Sequence, residues 1–198
     1  VEQALLSLNF RTGRVGTTGS AICGELVPTA LTTPEAPVLH GLFRRMVEAG
    51  VGPVLMEVSS IGLVQHRVDG IDYALGVFTN LSRDHLDFHH TMEEYCHAKS
   101  RLFRELLRSP GGMPRALLCA DDPAWKEMDP PSDRWLYGFS QHADICIRDA
   151  SFSTSGTQLV LPTPMGEGTL KSMLLGRHNA LNLACAMGIC LLLGTSLT

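Results

Sequence analysis

The sequence lacks the features that mark several common classes of protein. No cluster of Lys and Arg is interleaved with aromatic residues, and the net charge is -4, which argues against a nucleic-acid surface. The first residues show no charged segment followed by an apolar one, so we expect no signal peptide. The longest apolar stretch, 181–193, is interrupted by Asn182 and Gly188 and is too short to span a bilayer.

Paired cysteine motifs are also missing. None of the six cysteines forms a CxxC pair, and several lie in apolar stretches. With an apolar fraction of 44%, this favours free thiols in a reducing, cytoplasmic compartment over a disulfide framework. At 198 residues the chain suits one α/β domain with room for a small subdomain.

What the sequence does contain is an alternation of helical and strand patterns. The first ten residues have the pattern of a helix end, and their abrupt start predicts a fragment. Further helices are predicted after Thr33-Pro34, an N-cap followed by proline, after the capping box Thr91–Glu94, and from residue 176 to 194. Strands are predicted within 14–24, 51–60, 68–80, 115–120 and 134–139, with β-hairpins over 143–175. The alternation predicts an α/β fold with a mostly parallel central sheet flanked by helices and a small antiparallel β annex.

Ionisable residues follow two of the predicted strands. Glu57 follows the first strongly apolar strand, and Asp84 and His85 follow the second. In open α/β sheets, ligands bind at these carboxyl ends. Carboxylate and imidazole groups can hold a divalent cation, which would also bind phosphate. The alternatives are a glutamate that caps a helix and a histidine that is merely exposed.

Lys99 lies within the apolar stripe of the helix that follows Thr91. Burial disfavours the charged form of a lysine. Its side chain either reaches solvent or pairs with Asp84 or Asp87, or its neutral amine adds CO2 to form a carbamate able to hold a metal. The residues alone leave these alternatives open.

Two further groups have binding potential. Thr32 and Thr33 precede a helix N-terminus, which is either an anion site or a plain cap. Gln65 and Arg67 come soon after two serines, and Arg67 is either a two-pronged ligand for a carboxylate or a solvated charge.

Two other patterns remain open. Asn179 and Asn182 either bind a purine edge or cap the last helix. A stand-alone metallohydrolase is a weak alternative because no HExxH motif accompanies its residues, Asp84, His85, Asp87 and His89.

Several segments together resemble a known family. These are MEVSS, QHR, FTNLSRDHLDFH, AKSRLF and GRHNALN. They are similar to the central, ATP-binding domain of the Mur ligases, which has a P-loop-type fold. TTPE and VQHRV most resemble the MurE type, the UDP-N-acetylmuramoyl-dipeptide:amino-acid ligases. The resemblance covers nearly the whole chain, whereas folylpolyglutamate and cyanophycin synthetases share the plan but fit these segments less well.

The resemblance implies an ATP-dependent ligase of peptidoglycan precursor synthesis in the bacterial cytoplasm. ATP would phosphorylate the terminal carboxylate of UDP-MurNAc-L-Ala-D-Glu, and a diamino acid, meso-diaminopimelate or lysine, would attack the acyl phosphate to form an amide. Two Mg2+ ions would neutralise the phosphates and the carboxylate. The implied partners are these substrates and the flanking domains of the same chain, in a monomer without nucleic acid or a membrane span.

The resemblance also assigns residue roles. Glu57, His85 and a carbamylated Lys99 would form the catalytic set and hold one Mg2+. The positions that match contacts to the UDP-MurNAc-peptide are Thr32, Thr33, Ser59, Gln65 and Arg67. Those that match positions near ATP are Asn80 and Asn179.

Some family features are not in these 198 residues. They hold no GTxGKT phosphate-binding loop, no uridine-binding N-terminal domain and no C-terminal domain. We therefore expect residues 1–198 to be a central domain truncated at its N-terminus, inactive by itself within an active full-length ligase. Leu31, Ile61 and Cys119 replace residues that are common in the family. The alternative is a non-catalytic nucleotide-sugar-binding or scaffold module descended from it.

Overall fold

The structure is a computed structural model that describes residues 1–107 and 116–197. Its contacts divide the chain into two compact units. The first comprises residues 1–71 and 85–101, and the second comprises 72–84 and the described residues from 102 onwards. We describe each unit by itself.

The first unit contains a four-stranded sheet and short helices. The strands are β1 (Gly13–Val15), β2 (Ser20–Ile22), β3 (Glu25–Val27) and β4 (Val54–Met56). The helices are α1 (Glu2–Ser7), α2 (Ala36–Glu48), α3 (Ser60–Val64), α4 (Leu86–His89) and α5 (Met92–Glu105), which continues into the second unit. The strand order is β3-β2-β1-β4, and only the β1–β4 pair is parallel.

The second unit contains two sheets and a long helix. Its strands are β5 (Gly76–Phe78), β6 (Ala116–Cys119), β7 (Arg134–Gly138), β8 (Ile145–Cys146), β9 (Asp149–Ser153), β10 (Gly156–Thr163) and β11 (Gly166–Ser172). A 3-10 helix spans Pro123–Met128, and α6 spans Arg177–Leu192. The sheet β5-β6-β7-β8 is parallel throughout, and β11-β10-β9 is antiparallel. This confirms the predicted α/β class with a parallel sheet and an antiparallel annex.

The predicted start of α2 is wrong by two residues. Glu35, not Thr33, is the N-cap, and the helix begins at Ala36. The reason is tertiary: the Thr33 hydroxyl is hydrogen-bonded to the segment after β4 and does not cap the helix. The apolar face is confirmed at Leu39, Leu42 and Met46, all buried.

The segment predicted as one strand over 51–60 contains two elements. Only Val54–Met56 pairs in the sheet, and α3 then begins at Ser60. Ser59 caps α3, because its hydroxyl accepts a hydrogen bond from the Gly62 N–H at 3.1 Å. The residues after Glu57 therefore leave the sheet at once and turn into a helix.

The start of α5 is confirmed at Met92. The Thr91 hydroxyl accepts a hydrogen bond from the Glu94 N–H at 3.1 Å, which is one half of the predicted capping box. The Thr91 backbone N–H donates to the His89 carbonyl at 2.7 Å and not to Glu94. Tyr95, Ala98 and Phe103 are buried along the helix. Lys99 is half-buried between Ala98 and Ser100, both buried, which agrees with its predicted place within the apolar stripe.

The core of the second unit lies between the parallel sheet, β10 and α6. Its members include Leu117, Tyr137, Ile145, Leu159, Leu161, Ala180, Ala184 and Ile189. Gly188 permits α6 to approach closely, because a Cβ there would lie 2.7 Å from Ile145 Cδ1 and 2.9 Å from Leu117 Cδ2. Each fully buried leucine contributes roughly 1.5–3 kcal/mol by leaving water.

The hairpin predicted from residue 143 onwards is partly wrong. Ile145 pairs with Tyr137 in a parallel register, so β8 extends the parallel sheet instead of opening a hairpin. The antiparallel annex begins at Asp149. Arg115, in the predicted strand 115–120, lies outside the described residues.

No disulfide joins any of the six cysteines, all of which lie within the described residues. Within 1–107 and 116–197, none of the helices combines the length and the apolar character needed to cross a bilayer.

Candidate functional site

Glu57 lies at the carboxyl end of β4, directly beside the end of β1. Its backbone N–H donates a hydrogen bond to the Val15 carbonyl at 2.9 Å, so the parallel pairing sets its position. A Cβ at Gly16 would lie 2.5 Å from Glu57 Oε1. Glycine at position 16 therefore leaves the space that the carboxylate occupies, while the glutamate stays exposed to solvent.

Thr17 holds the other carboxylate oxygen. Its hydroxyl donates a hydrogen bond to Glu57 Oε2 at 2.6 Å and lies 3.2 Å from Thr32 Oγ1. Thr17 was not predicted, because no pattern in the sequence marks it. The register in which Val15 pairs with Met56 brings residue 17 close to residue 57. At the ends of β1 and β4, the Glu57 carboxylate thus lies beside the exposed hydroxyl of Thr17 and the half-exposed hydroxyl of Thr32.

Thr33 is buried, unlike its neighbour Thr32. Its hydroxyl donates to the Glu57 carbonyl at 2.9 Å and accepts from the Ser59 N–H at 2.9 Å. Only 1% of its surface is exposed. Thr33 therefore ties the segment before α2 to the segment after β4, and Thr32 is the hydroxyl that faces outward.

Arg67 is fixed beside the N-terminus of α2. Its guanidinium donates to the Thr33 carbonyl at 2.9 Å and to the Gln65 side-chain oxygen. Its Nε lies 3.1 Å from Glu35 Oε1, but the geometry is not that of a hydrogen bond, and this buried donor has none among the described residues. The structure thus brings Thr33, Ser59, Gln65 and Arg67, four of the five residues matched to the peptide substrate, into one network.

His85 and Lys99 both lie against the ring of Tyr95. The His85 ring meets it edge-on, with centroids 5.9 Å apart and planes at 82°. Lys99 Nζ lies over the same ring, 5.1 Å from its centroid. His85 adopts a left-handed backbone conformation with φ of 54° and is the N-cap residue of α4. Two of the three predicted metal ligands are therefore brought together by a residue that the sequence analysis did not select.

His89 completes this cluster from α4. Its ring stacks on Tyr95 at 5.2 Å and 26°, and its Nε2 lies 2.8 Å from Ser60 Oγ. Burial lowers the pKa of His89, and the nearby charge of His85 lowers it further, while Glu94 acts in the opposite direction. If the Ser60 hydroxyl donates to His89 Nε2, the proton of the neutral ring is on Nδ1. If Nε2 donates to the hydroxyl, the proton is on Nε2. The surroundings of His89 in the first unit therefore favour its neutral form.

The exposed carboxylate at the end of β4 fits a magnesium ion that has few protein ligands. Mg2+ prefers oxygen ligands, keeps several waters, and typically uses one or two carboxylates together with substrate phosphates. The exposed carboxylate of Glu57 matches that requirement. Within the described residues, no group of three or more His, Cys, Asp and Glu side chains is arranged to hold a metal. The four residues considered for a metallohydrolase thus form no such group, and a closed zinc-type site is not present in that part of the chain.

Two residues predicted to lie near ATP belong to the second unit. Asn80 is exposed just beyond the end of β5. The Asn179 side-chain amide donates to the Leu175 carbonyl at 2.8 Å at the start of α6. The N-cap of α6 is Gly176 and no side chain caps the helix, so the capping alternative is wrong for Asn179. The Asn179 amide oxygen lies 3.4 Å from the Asn182 amide nitrogen.

Two aspartates, Asp121 and Asp122, support these segments and were not selected from the sequence as site residues. Asp122 Oδ2 accepts from the Leu81 N–H at 2.7 Å, next to Asn80. Asp121 accepts from the Arg177 guanidinium at 3.2 Å, and that guanidinium lies 3.7 Å from the centroid of the Phe139 ring. The turn after β6 therefore anchors both the loop after β5 and the start of α6.

Comparison with known proteins places these features in a family. The Mur ligase middle domain matches residues 1–190. The UDP-N-acetylmuramoyl-L-alanyl-D-glutamate–2,6-diaminopimelate ligase of Neisseria meningitidis serogroup B is 41% identical over 194 residues, covering 94% of this chain and 38% of the relative. The ligase of the same name from Gloeobacter violaceus is 42% identical over 194 residues, covering 98% of this chain and 39% of that relative.

A solved structure of a UDP-N-acetylmuramoyl-L-alanyl-D-glutamate–2,6-diaminopimelate ligase has the same fold. It superposes with a TM-score of 0.86 and 32% identity, covering 98% of this chain and 40% of that structure. The chain spans about two fifths of the length of the curated relatives it matches. The match over residues 1–190 and the identity above 40% confirm the predicted resemblance: the chain belongs to the Mur ligase middle-domain family.

Proposed function

We propose that this chain is the central domain of an ATP-dependent ligase that adds a diamino acid to UDP-MurNAc-L-Ala-D-Glu in peptidoglycan precursor synthesis. The observation that supports it most is the exposed carboxylate of Glu57, held by Thr17 beside Thr32 at the joint end of β1 and β4. In the full-length protein a uridine-binding domain and a C-terminal domain would flank residues 1–198. Relatives that bear the name of the diaminopimelate ligase support this choice over the scaffold alternative.

The peptide substrate would bind near Thr32 and Arg67. Thr32 presents its hydroxyl ahead of the N-terminus of α2, whose backbone N–H groups favour anions. Arg67 is held by the Thr33 carbonyl, so its guanidinium is already oriented before a carboxylate binds. Ser59 and Gln65 would add polar contacts from the same network. The buried Thr33 would support this surface from behind.

Glu57 and His85, with Lys99 as a carbamate, would hold one of two Mg2+ ions. When bound, Mg2+ supplies positive charge that offsets repulsion between the phosphates of ATP and the substrate carboxylate. The chain itself keeps the Glu57 carboxylate exposed in the space beside Gly16 and keeps Lys99 over Tyr95. Asn80 and Asn179 would lie near ATP.

The proposed reaction proceeds through an acyl phosphate. The substrate carboxylate attacks the γ-phosphorus of ATP, and ADP leaves. The amine of the diamino acid then attacks the acyl carbon, and phosphate leaves as the amide forms and the amine loses a proton. We place this reaction in a monomer in the bacterial cytoplasm, where thiols such as the six found here stay reduced.

The test is an activity assay of the full-length protein. Release of phosphate should depend on ATP, on UDP-MurNAc-L-Ala-D-Glu and on diaminopimelate or lysine. Lys99→Ala should reduce turnover by about 100-fold or more, since a misplaced or missing group at a phosphoryl-transfer site costs that much. Bicarbonate should not restore it, because alanine has no amine. Lys171→Ala, at an exposed position of β11, is the matched control and should retain full turnover.

Near-normal turnover of Lys99→Ala would show that the carbamate role is wrong. The scaffold alternative has its own test, calorimetry of residues 1–198 with UDP-MurNAc-dipeptide. Binding without any turnover by the full-length protein would favour that alternative. We expect residues 1–198 alone to show no turnover, since they contain no GTxGKT loop.

A further inference from the structure

We propose that Tyr95 is a positioning residue that holds the Lys99 amine and the His85 imidazole at the candidate site. The proposal rests on the proposed function, because it concerns the same site. Tyr95 itself touches neither substrate nor metal in this scheme. It acts through the two side chains that its ring contacts.

The buried ring of Tyr95 forms a platform against which the side chains of His85, His89 and Lys99 lie. Only 5% of the residue is exposed. His89 stacks on it with planes at 26°, His85 meets it edge-on at 82°, and Lys99 Nζ lies over it at 5.1 Å. Stacked and edge-on contacts are favoured geometries between aromatic rings, and an ammonium over a ring face is attracted by its electron density.

The platform is itself fixed by a buried polar contact. His89 Nε2 lies 2.8 Å from Ser60 Oγ. Both residues are buried, with 4% of the surface of His89 and 1% of that of Ser60 exposed. The backbone N–H of His89 also donates a hydrogen bond to the His85 carbonyl at 2.9 Å, so the two histidines belong to the same helical turn. Since an unsatisfied polar group in the interior is costly, this contact resists rotation of the His89 ring. A fixed His89 in turn fixes the Tyr95 ring that stacks on it.

The same contact connects the platform with the end of β4. Ser60 follows Glu57 by three residues, and Ser59 between them is bonded to Thr33. The first turn of α3 thus joins the segment of Glu57 to the stack of His89 and Tyr95. Within the first unit, the segment that carries Glu57 is thus connected with the ring that contacts His85 and Lys99.

Lysine needs such a platform more than histidine does. Its long aliphatic side chain has many rotamers, so an unrestrained amine samples many positions. Tyr95 and Lys99 are four residues apart on α5, which places their side chains on the same face of the helix. The aromatic ring therefore restricts the amine to the side of the helix where His85 lies.

The test separates an aromatic platform from a simple filler of the core. Tyr95→Phe keeps the ring, whereas Tyr95→Leu and Tyr95→Met keep apolar volume without a ring. The full-length variants are treated with limiting acetic anhydride in bicarbonate-free buffer, and acetylation of Lys99 is measured relative to exposed Lys171 by mass spectrometry. Tyr73→Leu, in the second unit, is the matched control. Thermal unfolding of each variant shows whether it folds.

We expect the ratio of Lys99 to Lys171 acetylation to be the same in the wild type, Tyr95→Phe and Tyr73→Leu. It should rise about threefold in Tyr95→Leu and Tyr95→Met, which is the scale of one lost cation–ring contact. An unchanged ratio in a folded ring-less variant would overturn the proposal. An equal rise in Tyr95→Phe would also overturn it, since the ring would then not be the relevant group.

A second readout separates this proposal from the proposed function. The carbamate of Lys99 is measured by carbon NMR in labelled bicarbonate, and we expect its signal in both the wild type and Tyr95→Phe. If the wild type itself shows neither a carbamate nor ligase turnover, the proposed function fails. The acetylation ratio then still decides whether Tyr95 positions Lys99.

Discussion

The carboxylate of Glu57 occupies the space that a side chain on residue 16 would need. A Cβ on Gly16 would lie 2.5 Å from Glu57 Oε1 and 2.8 Å from its carboxyl carbon, well inside contact distance. Thr17, the next residue, donates a hydrogen bond to the other oxygen at 2.6 Å. The end of β1 therefore shapes both sides of the carboxylate. The position of the carboxylate therefore depends on the pairing of β1 with β4 and not on Glu57 alone.

The first prediction concerns Gly16→Ala. The new methyl group should push the carboxylate aside. Turnover of the full-length protein should fall by about 10- to 100-fold, because the proposed Mg2+ ligand would be displaced by about 1 Å. Stability should change by less than about 1 kcal/mol, because the exposed side chain can move into solvent.

Gly41→Ala is the matched control for this change. Gly41 is exposed on α2, and no heavy atom outside its own neighbourhood lies within 4 Å of an added Cβ. Alanine there should stabilise the helix by about 0.5–1 kcal/mol and leave turnover unchanged. Full turnover of Gly16→Ala would show that the carboxylate does not need its present position.

The second prediction separates the two adjacent threonines. Thr33→Val keeps the shape of a buried side chain but leaves the Ser59 N–H and the Glu57 carbonyl without their partner. The free energy of unfolding should fall by about 1–3 kcal/mol in urea denaturation. Thr32→Val should change stability by less than about 0.5 kcal/mol and weaken binding of the peptide substrate instead. The opposite pattern would assign substrate contact to Thr33.

The third prediction concerns the pH dependence of stability. The pKa of His89 is lower in the folded protein than its ordinary value of 6.5, mainly because it is buried. Below that value the unfolded chain binds a proton that the folded protein does not, so the free energy of unfolding falls as the pH decreases. The contribution is complete above the ordinary pKa and is lost progressively down to the folded pKa.

His89→Gln tests this dependence, because glutamine can still bond to Ser60 and does not titrate. Between about pH 7.5 and about pH 5, its free energy of unfolding should fall less steeply than that of the wild type. His142→Gln, at an exposed position, should retain the wild-type slope. Equal slopes for all three proteins would mean that His89 titrates in the folded state much as it does when unfolded.

The local patterns of the sequence predicted most helices but not all of their ends. The N-cap role of the Thr91 hydroxyl and the start of α5 are confirmed because both depend on residues within one helical turn. The same logic was wrong at Thr33, whose hydroxyl bonds to residues 24 and 26 positions away. A hydroxyl has the same chemistry in either role, and only the folded chain selects its partner.

The candidate site shows the same division. Glu57 and His85 were selected because polar residues follow strands, and Lys99 because it interrupts an apolar stripe. Their roles as metal ligands stay predictions. Thr17, Tyr95 and His89 contribute through contacts that no pattern in the sequence reveals, such as the bond between Ser60 and His89, 29 positions apart.

The sequence by itself determined the family, the α/β class and the order of most helices and strands. The class and the order follow from hydrophobic periodicity, which acts over a few neighbouring residues. The family follows from the resemblance of segments such as FTNLSRDHLDFH and GRHNALN to a known family. The tertiary structure alone decided that Thr33 is interior, that Gly16 and Thr17 frame Glu57, and that Tyr95 collects His85, His89 and Lys99. The physical reason is that these contacts depend on strand register and helix docking, which join residues far apart in the chain.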